Sequence, residues 1–227
     1  MSIVTETQQP ITQQQELPEE PRSQRGTPTW EMARFYPHQG EWTEEQYLAL
    51  DTNNLIEFDN GMLEFLPMPT DTHQRIAKFL LRLLDDFVES RLLGEVFMMG
   101  YPVRLPDGKS RQPDIVYVRS GRPTSKRYVA GADIVVEIVS ELPEDRRRDL
   151  ETKREDYAAA GIPEYWIVDP ETQTISVLTL DGEAYKSHGE LRPGETATSV
   201  LLDGFTIDVK ACFDAAVVET GTTEDTE

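Results

Sequence analysis

The sequence predicts an α/β (α+β) fold, a mixed central β-sheet flanked by helices. Three observations lead to it. Apolar residues recur every three or four positions from 71 to about 93, the period of an amphipathic helix. Residues 132–141 form a β-branched apolar run, the mark of a central strand covered on both faces. Strand and helix signals then follow in mixed order, with no internal repeat.

The elements follow in order. Residues 1 to about 28 are polar, punctuated by proline and without periodicity, and are expected to be a disordered tail. They lack the apolar core of a secretory signal. Thr43 caps a short helix. Residues 55–58 and 62–66 read as two strands joined at Asn60-Gly61, a strong hairpin signal. Thr70 or Asp71 caps the long helix, and Gly94 is expected to end it. Strand signals follow at 96–105 and 114–118. A loop over 119–131 carries Arg119, Arg122, Lys126 and Arg127. The apolar strand comes next, then a helix over 145–161 with Leu150, Tyr157 and Ala160 on its buried face. Gly161-Ile162-Pro163 stops that helix. Residues 165–168 read as a buried strand, Asp169-Pro170 as a turn, and 174–180 as the returning strand. Short strands are expected at 184–188, 196–201 and 205–209. The domain reading is a tail (1–28), one domain (29–213) and an acidic tail (214–227).

Composition narrows the classes. The one cysteine, Cys212, excludes an internal disulfide and a Cys-based zinc cluster, and fits a reducing cytoplasm. No apolar run reaches the roughly 18 residues of a membrane span. The net charge of −20 argues against a nonspecific nucleic-acid binder. Yet residues 104–154 hold 12 of the 22 Lys/Arg against 9 of the 42 Asp/Glu. A basic patch on an acidic body suits a phosphate-bearing substrate. Ordinary surface variation would give the same pattern.

Glu137 lies in the middle of the apolar strand. An ionised carboxylate there needs a metal ion, an Arg or water to meet it. Asp114 opens the preceding strand, so the two acids converge if those strands are neighbours. A hard divalent ion takes a few carboxylates plus water and phosphate oxygens. Lys153 follows Leu150 by three and precedes Tyr157 by four, which puts it on the buried face of its helix. Its partner there is Glu137; the alternative is Asp149 at i−4. Two acids and a lysine in the order Asp114, Glu137, Lys153 suit metal-dependent phosphodiester cleavage.

Four stretches carry a resemblance. They are Gln112-Pro113-Asp114-Ile115-Val116-Tyr117-Val118, Asp133-Ile134-Val135-Val136-Glu137-Ile138-Val139-Ser140, Arg148-Asp149-Leu150 through Lys153 to Tyr157, and Gly161-Ile162-Pro163-Glu164-Tyr165-Trp166-Ile167-Val168-Asp169-Pro170. From about Thr43 to about Val209 the chain resembles the Uma-two family of bacterial restriction-endonuclease-like proteins. That resemblance implies the PD-(D/E)XK nuclease fold, Mg²⁺ or Mn²⁺ as cofactor, DNA as substrate and a homodimer. It matches Asp114 to the motif Asp and Glu137 to the second acid. It departs at Val139, where the usual nuclease lysine would stand, which implies that Lys153 has taken that role. Met62 stands where relatives often carry Glu, with Glu57 and Glu64 nearby as extra acids. His73 matches a histidine at the start of the long helix; a capping or surface role is the alternative. Trp166 and Tyr165 read as core rather than a stacking platform, and Asp169-Pro170 as turn chemistry. Arg146-Arg147-Arg148 reads either as a phosphate contact or as a solvated helix start.

The function expected is therefore a Mg²⁺-dependent endonuclease with Asp114, Glu137 and Lys153 as its catalytic set. The alternatives are a catalytically inactive nuclease-fold binding protein and a metal hydrolase for another substrate.

Overall fold

The computed structural model describes residues 36–52 and 54–217. The expected tail 1–28 and residues 218–227 of the expected acidic tail lie outside the described residues. The account below concerns the unit from Gln39 onward.

Thr43 and Gln46 cap α1 (Glu44–Ala49) reciprocally, side chain to backbone in both directions. β1 (Ile56–Asp59) and β2 (Met62–Phe65) pair through Asn60 and Gly61, both at positive φ (47° and 90°), as an Asn-Gly hairpin turn requires. Thr70 caps α2 (Asp71–Ser90), its side chain accepting from the His73 N–H. Gly94 does not end this helix. The chain leaves it through Leu92 at φ 55°, and Gly94 opens β3 (Gly94–Met98). A Cβ on Gly94 would collide with the Val118 carbonyl oxygen, so close strand pairing is what needs the glycine.

The strand expected over 96–105 is two strands in different sheets, β3 and β4 (Val103–Arg104). The break falls at Gly100 (φ 91°) and Pro102, where glycine and proline interrupt the ladder. Next come β5 (Lys109–Arg111), β6 (Ile115–Arg119), β7 (Val129–Ala130) and β8 (Ile134–Ile138). The helix expected over 145–161 has three parts: α3 (Pro143–Arg147), a π-helical turn (Arg148–Thr152) and α4 (Lys153–Ala159). Then follow β9 (Glu164–Asp169), β10 (Thr174–Asp181), β11 (Ala184–Leu191), β12 (Thr196–Thr198), β13 (Thr206–Asp208) and α5 (Val209–Asp214).

The strand order of the main sheet is β11-β10-β9-β8-β6-β3, antiparallel except for the parallel pair β8 and β9. A second sheet, β2-β1-β5-β4-β7, is likewise mixed, and β12 pairs with β13. Helix α2 packs Ile76, Leu80, Leu84 and Val88 against Ile115, Ile134, Val136 and Trp166 on one face of the main sheet. The other face carries Val116, Val135, Val139, Tyr165 and Ile167, with Tyr157 of α4 in the same core. Burying each such aliphatic side chain contributes about 1.5–3 kcal/mol. β8 is thus covered on both faces, as its composition requires. Strand alternation leaves Glu137 on the Val135 and Val139 face, turned towards α4.

The buried face of that last helical stretch differs from the expected one. Leu150 and Ala160 are only half buried, whereas Asp149, Lys153, Asp156, Tyr157 and Ala158 are buried. The π turn inserts a residue into the helical register, so simple 3.6-residue spacing does not carry across it. π turns recur at functional sites, and this one brings two charged side chains under the sheet.

Candidate active site

The antiparallel ladder of β6 and β8 pairs Ile115 with Val136. One step further along, Asp114 comes opposite Glu137. The Asp114 carboxylate (Oδ2) accepts from the Ile138 N–H at 2.7 Å and lies 3.1 Å from His73 Nε2. Glu137 is 2 % exposed. Tyr157 donates its hydroxyl to Glu137 Oε1 at 2.6 Å, and Lys153 Nζ lies 2.9 Å from Glu137 Oε2. The same ammonium lies 3.2 Å from Asp149 Oδ1 and 3.5 Å from Glu57 Oε1. Both partners considered for Lys153, Glu137 and Asp149, are therefore engaged. Glu57 comes from β1, where the Gln112 N–H and Arg111 also hold it, at 3.0 and 3.2 Å.

Charge is unevenly compensated here. Burial works against the Lys153 ammonium, but Glu137, Glu57 and Asp149 override it and hold Lys153 protonated well above the ordinary range. Burial raises Glu137; Lys153 pulls it back; Asp114, Asp149 and Glu57 push it up again, to about 8. Burial would also raise Glu57, yet Lys153 and Arg111 bring it below the ordinary range. Burial lowers His73, and its hydrogen bond to Asp114 outweighs that, leaving it raised. Burial and the neighbouring acids hold the Tyr157 phenol neutral, as a pure donor.

These groups floor a cleft of about 300 Å³. Asp114, Glu137, Lys153 and His73 line it, together with Asp149 and Arg148. Glu57 stands behind Lys153. Glu64 is half exposed and pairs with Arg148 at 2.8 Å. Met62 is exposed on β2. Arg148 is neither free nor solvated: it is mostly buried and also pairs with Asp145 at 2.9 Å. Arg146 pairs with Asp169, whose carboxylate accepts from the Glu171 N–H in the turn. Trp166 is core, donating to Glu164. The Tyr165 hydroxyl donates to the Asp149 carbonyl at 2.7 Å and so holds the π turn against β9.

The sequence does not point Asp149 or Tyr157 to the cleft, and offers Arg148 only as one of three arginines suited to a phosphate. Asp149 was visible as the i−4 neighbour of Lys153. Tyr157 was placed in the core by its spacing, and its hydroxyl gave no separate signal. Among the described residues, four side-chain atoms around the cleft are buried and without a hydrogen bond: His73 Nδ1, Gln112 Oε1, Asp149 Oδ1 and Arg148 Nε, Asp149 Oδ1 being nonetheless ion-paired with Lys153.

Among the described residues no three His, Cys, Asp or Glu side chains form a metal cage. Asp114 and Glu137 offer two carboxylates at a point of surplus negative charge. That donor set fits a hard divalent ion that keeps most of its water.

The mixed sheet brings Asp114, Glu137 and Lys153 together beside one cleft. The family model described as Uma2, "Putative restriction endonuclease", matches residues 44–210, and the chain belongs to that family. A crystal structure described as "a putative nuclease belonging to DUF820", from Anabaena variabilis, matches with a TM-score of 0.65 at 19% identity. The match covers 78% of this chain and 99% of that one, and at this identity the likeness is one of fold. No curated protein matches. Restriction-endonuclease-like families in general use divalent metals. Among the described residues no helix is long and apolar enough to cross a membrane.

Proposed function

We propose that this chain is a Mg²⁺- or Mn²⁺-dependent endonuclease that hydrolyses phosphodiester bonds in DNA. The observation that carries this is the single Lys153 ammonium shared by three buried carboxylates, with Asp114 a fourth acid beside them. Asp114 and Glu137 would hold the ion. Once bound, it would supply charge stabilisation at the phosphoryl oxygens. The backbone N–H of Ile138 fixes the Asp114 carboxylate, and Tyr157 fixes Glu137. Lys153 stays protonated, so its role is to orient the attacking water and offset the charge developing at phosphorus, not to remove a proton. The water oxygen bonds to phosphorus and gives up a proton to solvent. The phosphorus–oxygen bond to the leaving sugar breaks, and that oxygen takes up a proton. A homodimer, on family resemblance, and a cytoplasmic location, on the single cysteine, belong to the same proposal.

The test is cleavage of a DNA panel with Mg²⁺ or Mn²⁺, wild type against Glu137→Ala. Loss of cleavage in the variant is expected; activity that survives it sinks the assignment.

One observation favours a second reading, a nuclease-fold binding protein without catalysis. Both Glu137 oxygens already have partners, and Val139, buried beside them, stands where the usual lysine would be. Calorimetry separates the readings: absence of Mg²⁺ or Mn²⁺ binding at millimolar concentration supports the second.

A further inference from the structure

A second groove, of about 390 Å³, runs between α2 and β3 and reaches Asp114. Asp114 lines both depressions. β3 is the edge strand of the main sheet, so no further strand of this sheet flanks the groove. Its walls combine charged, polar and apolar side chains, the acids Asp71 and Asp114 among them. Arg75 and Lys78 are cationic, while Leu81, Met98 and Met99 are apolar, and Met98 is exposed.

Beyond Asp71 in the first turn, the charge order along α2 runs against its macrodipole. Arg75, Lys78 and Arg82 precede Asp85, Asp86 and Glu89, and the last turn contains no basic residue. Helix stability would place the acids first and the cations last. The cations also share a side of the helix, at spacings of three and four. Arg75 pairs with Asp71 at 2.7 Å, whereas Lys78 and Arg82 form no ion pair among the described residues. On a chain of net charge −20, Lys78 in the groove wall and Arg82, one turn further along the same side of α2, are available to an anion.

We infer that the α2–β3 groove is a binding track for an unpaired nucleic-acid strand, which passes over Lys78 and Arg82 to reach Asp114. The cations take its phosphates, and Leu81, Met98 and Met99 take base faces. A duplex hides those faces in its stack, whereas a single strand presents them. The identity of the strand rests on the nuclease reading; the track itself rests on the groove and the charge order.

The test uses the full chain and a labelled oligothymidylate, with the same-length duplex as comparison, in Mg²⁺ and without metal. Wild type should bind the single strand at least tenfold more tightly than the duplex. The Lys78→Glu/Arg82→Glu variant, altered only at exposed positions, should lose at least tenfold in affinity with an unchanged melting temperature. The salt slope should fall by about 0.7 for each phosphate contact removed. Equal affinity in variant and wild type, a preference for duplex, or no binding to either probe overturns the track. If the variant cuts DNA with an unaltered KM, the track falls and the nuclease reading stands. If the strand binds through Lys78 and Arg82 but nothing is cut, the chemistry falls and the track stands.

Discussion

Lys153 lies within ion-pair distance of Glu57, Glu137 and Asp149, all of them buried. Replacing it by Met would leave this acidic group without its shared cation. Removing one partner of a buried pair costs about 3–5 kcal/mol. Urea unfolding of Lys153→Met at neutral pH should show a loss of that order. Glu137 sets a pH dependence of the opposite kind. Burial and the neighbouring acids raise its carboxyl to about 8, so protons compete with a metal ion for it near neutral pH. A metal ion binds the ionised form. Apparent Mn²⁺ affinity should therefore rise about tenfold per pH unit up to 8 and level off above it. Titration calorimetry across that range checks this, and a flat wild-type profile would exclude Glu137 as a ligand.

Single elements carry their own tests. Asp133 precedes β8 and is fully buried, holding Arg119, Arg122 and the Arg119 N–H. Burial raises its carboxyl, but the two guanidinium groups outweigh that and leave it below the ordinary range. A depressed acid stabilises the fold above its unfolded pKa, and that contribution disappears as pH falls through the folded value. Asp133→Asn should cost about 2 kcal/mol at neutral pH, with a smaller difference from wild type in acid, measured by urea unfolding. At the start of β3, Gly94→Ala forces a Cβ onto the Val118 carbonyl. A loss of about 1–3 kcal/mol is expected, read as a lower melting temperature.

Across the molecule, the second sheet reaches the site through Glu57. This residue of β1 touches Lys153 and Arg111, and Arg111 binds Asp156 of α4 at 2.5 Å. The charge of Glu57 helps to push Glu137 upward. Glu57→Gln should therefore shift the pH profile of metal binding to lower pH. A residue that merely packed there would lower stability without moving that midpoint.

Much of this was legible in the residues themselves. The amphipathic period gave α2, Asn60-Gly61 gave the hairpin, and the β-branched run gave a strand covered on both faces. Asp114, Glu137 and Lys153 were legible as a group because a charge inside an apolar pattern violates its period. Each of those signals is local: spacing, turn chemistry and a buried charge in need of a partner. Tertiary structure alone decided how many acids share the lysine. Glu57 is 96 residues from Lys153 in sequence, and only the docking of the second sheet brings it there. It also decided that a π turn brings Asp149 beneath the sheet, and that Asp114 joins two grooves. Long-range charge sums and a one-residue helical insertion leave no periodic trace in the chain, so they become visible only when its parts are packed together.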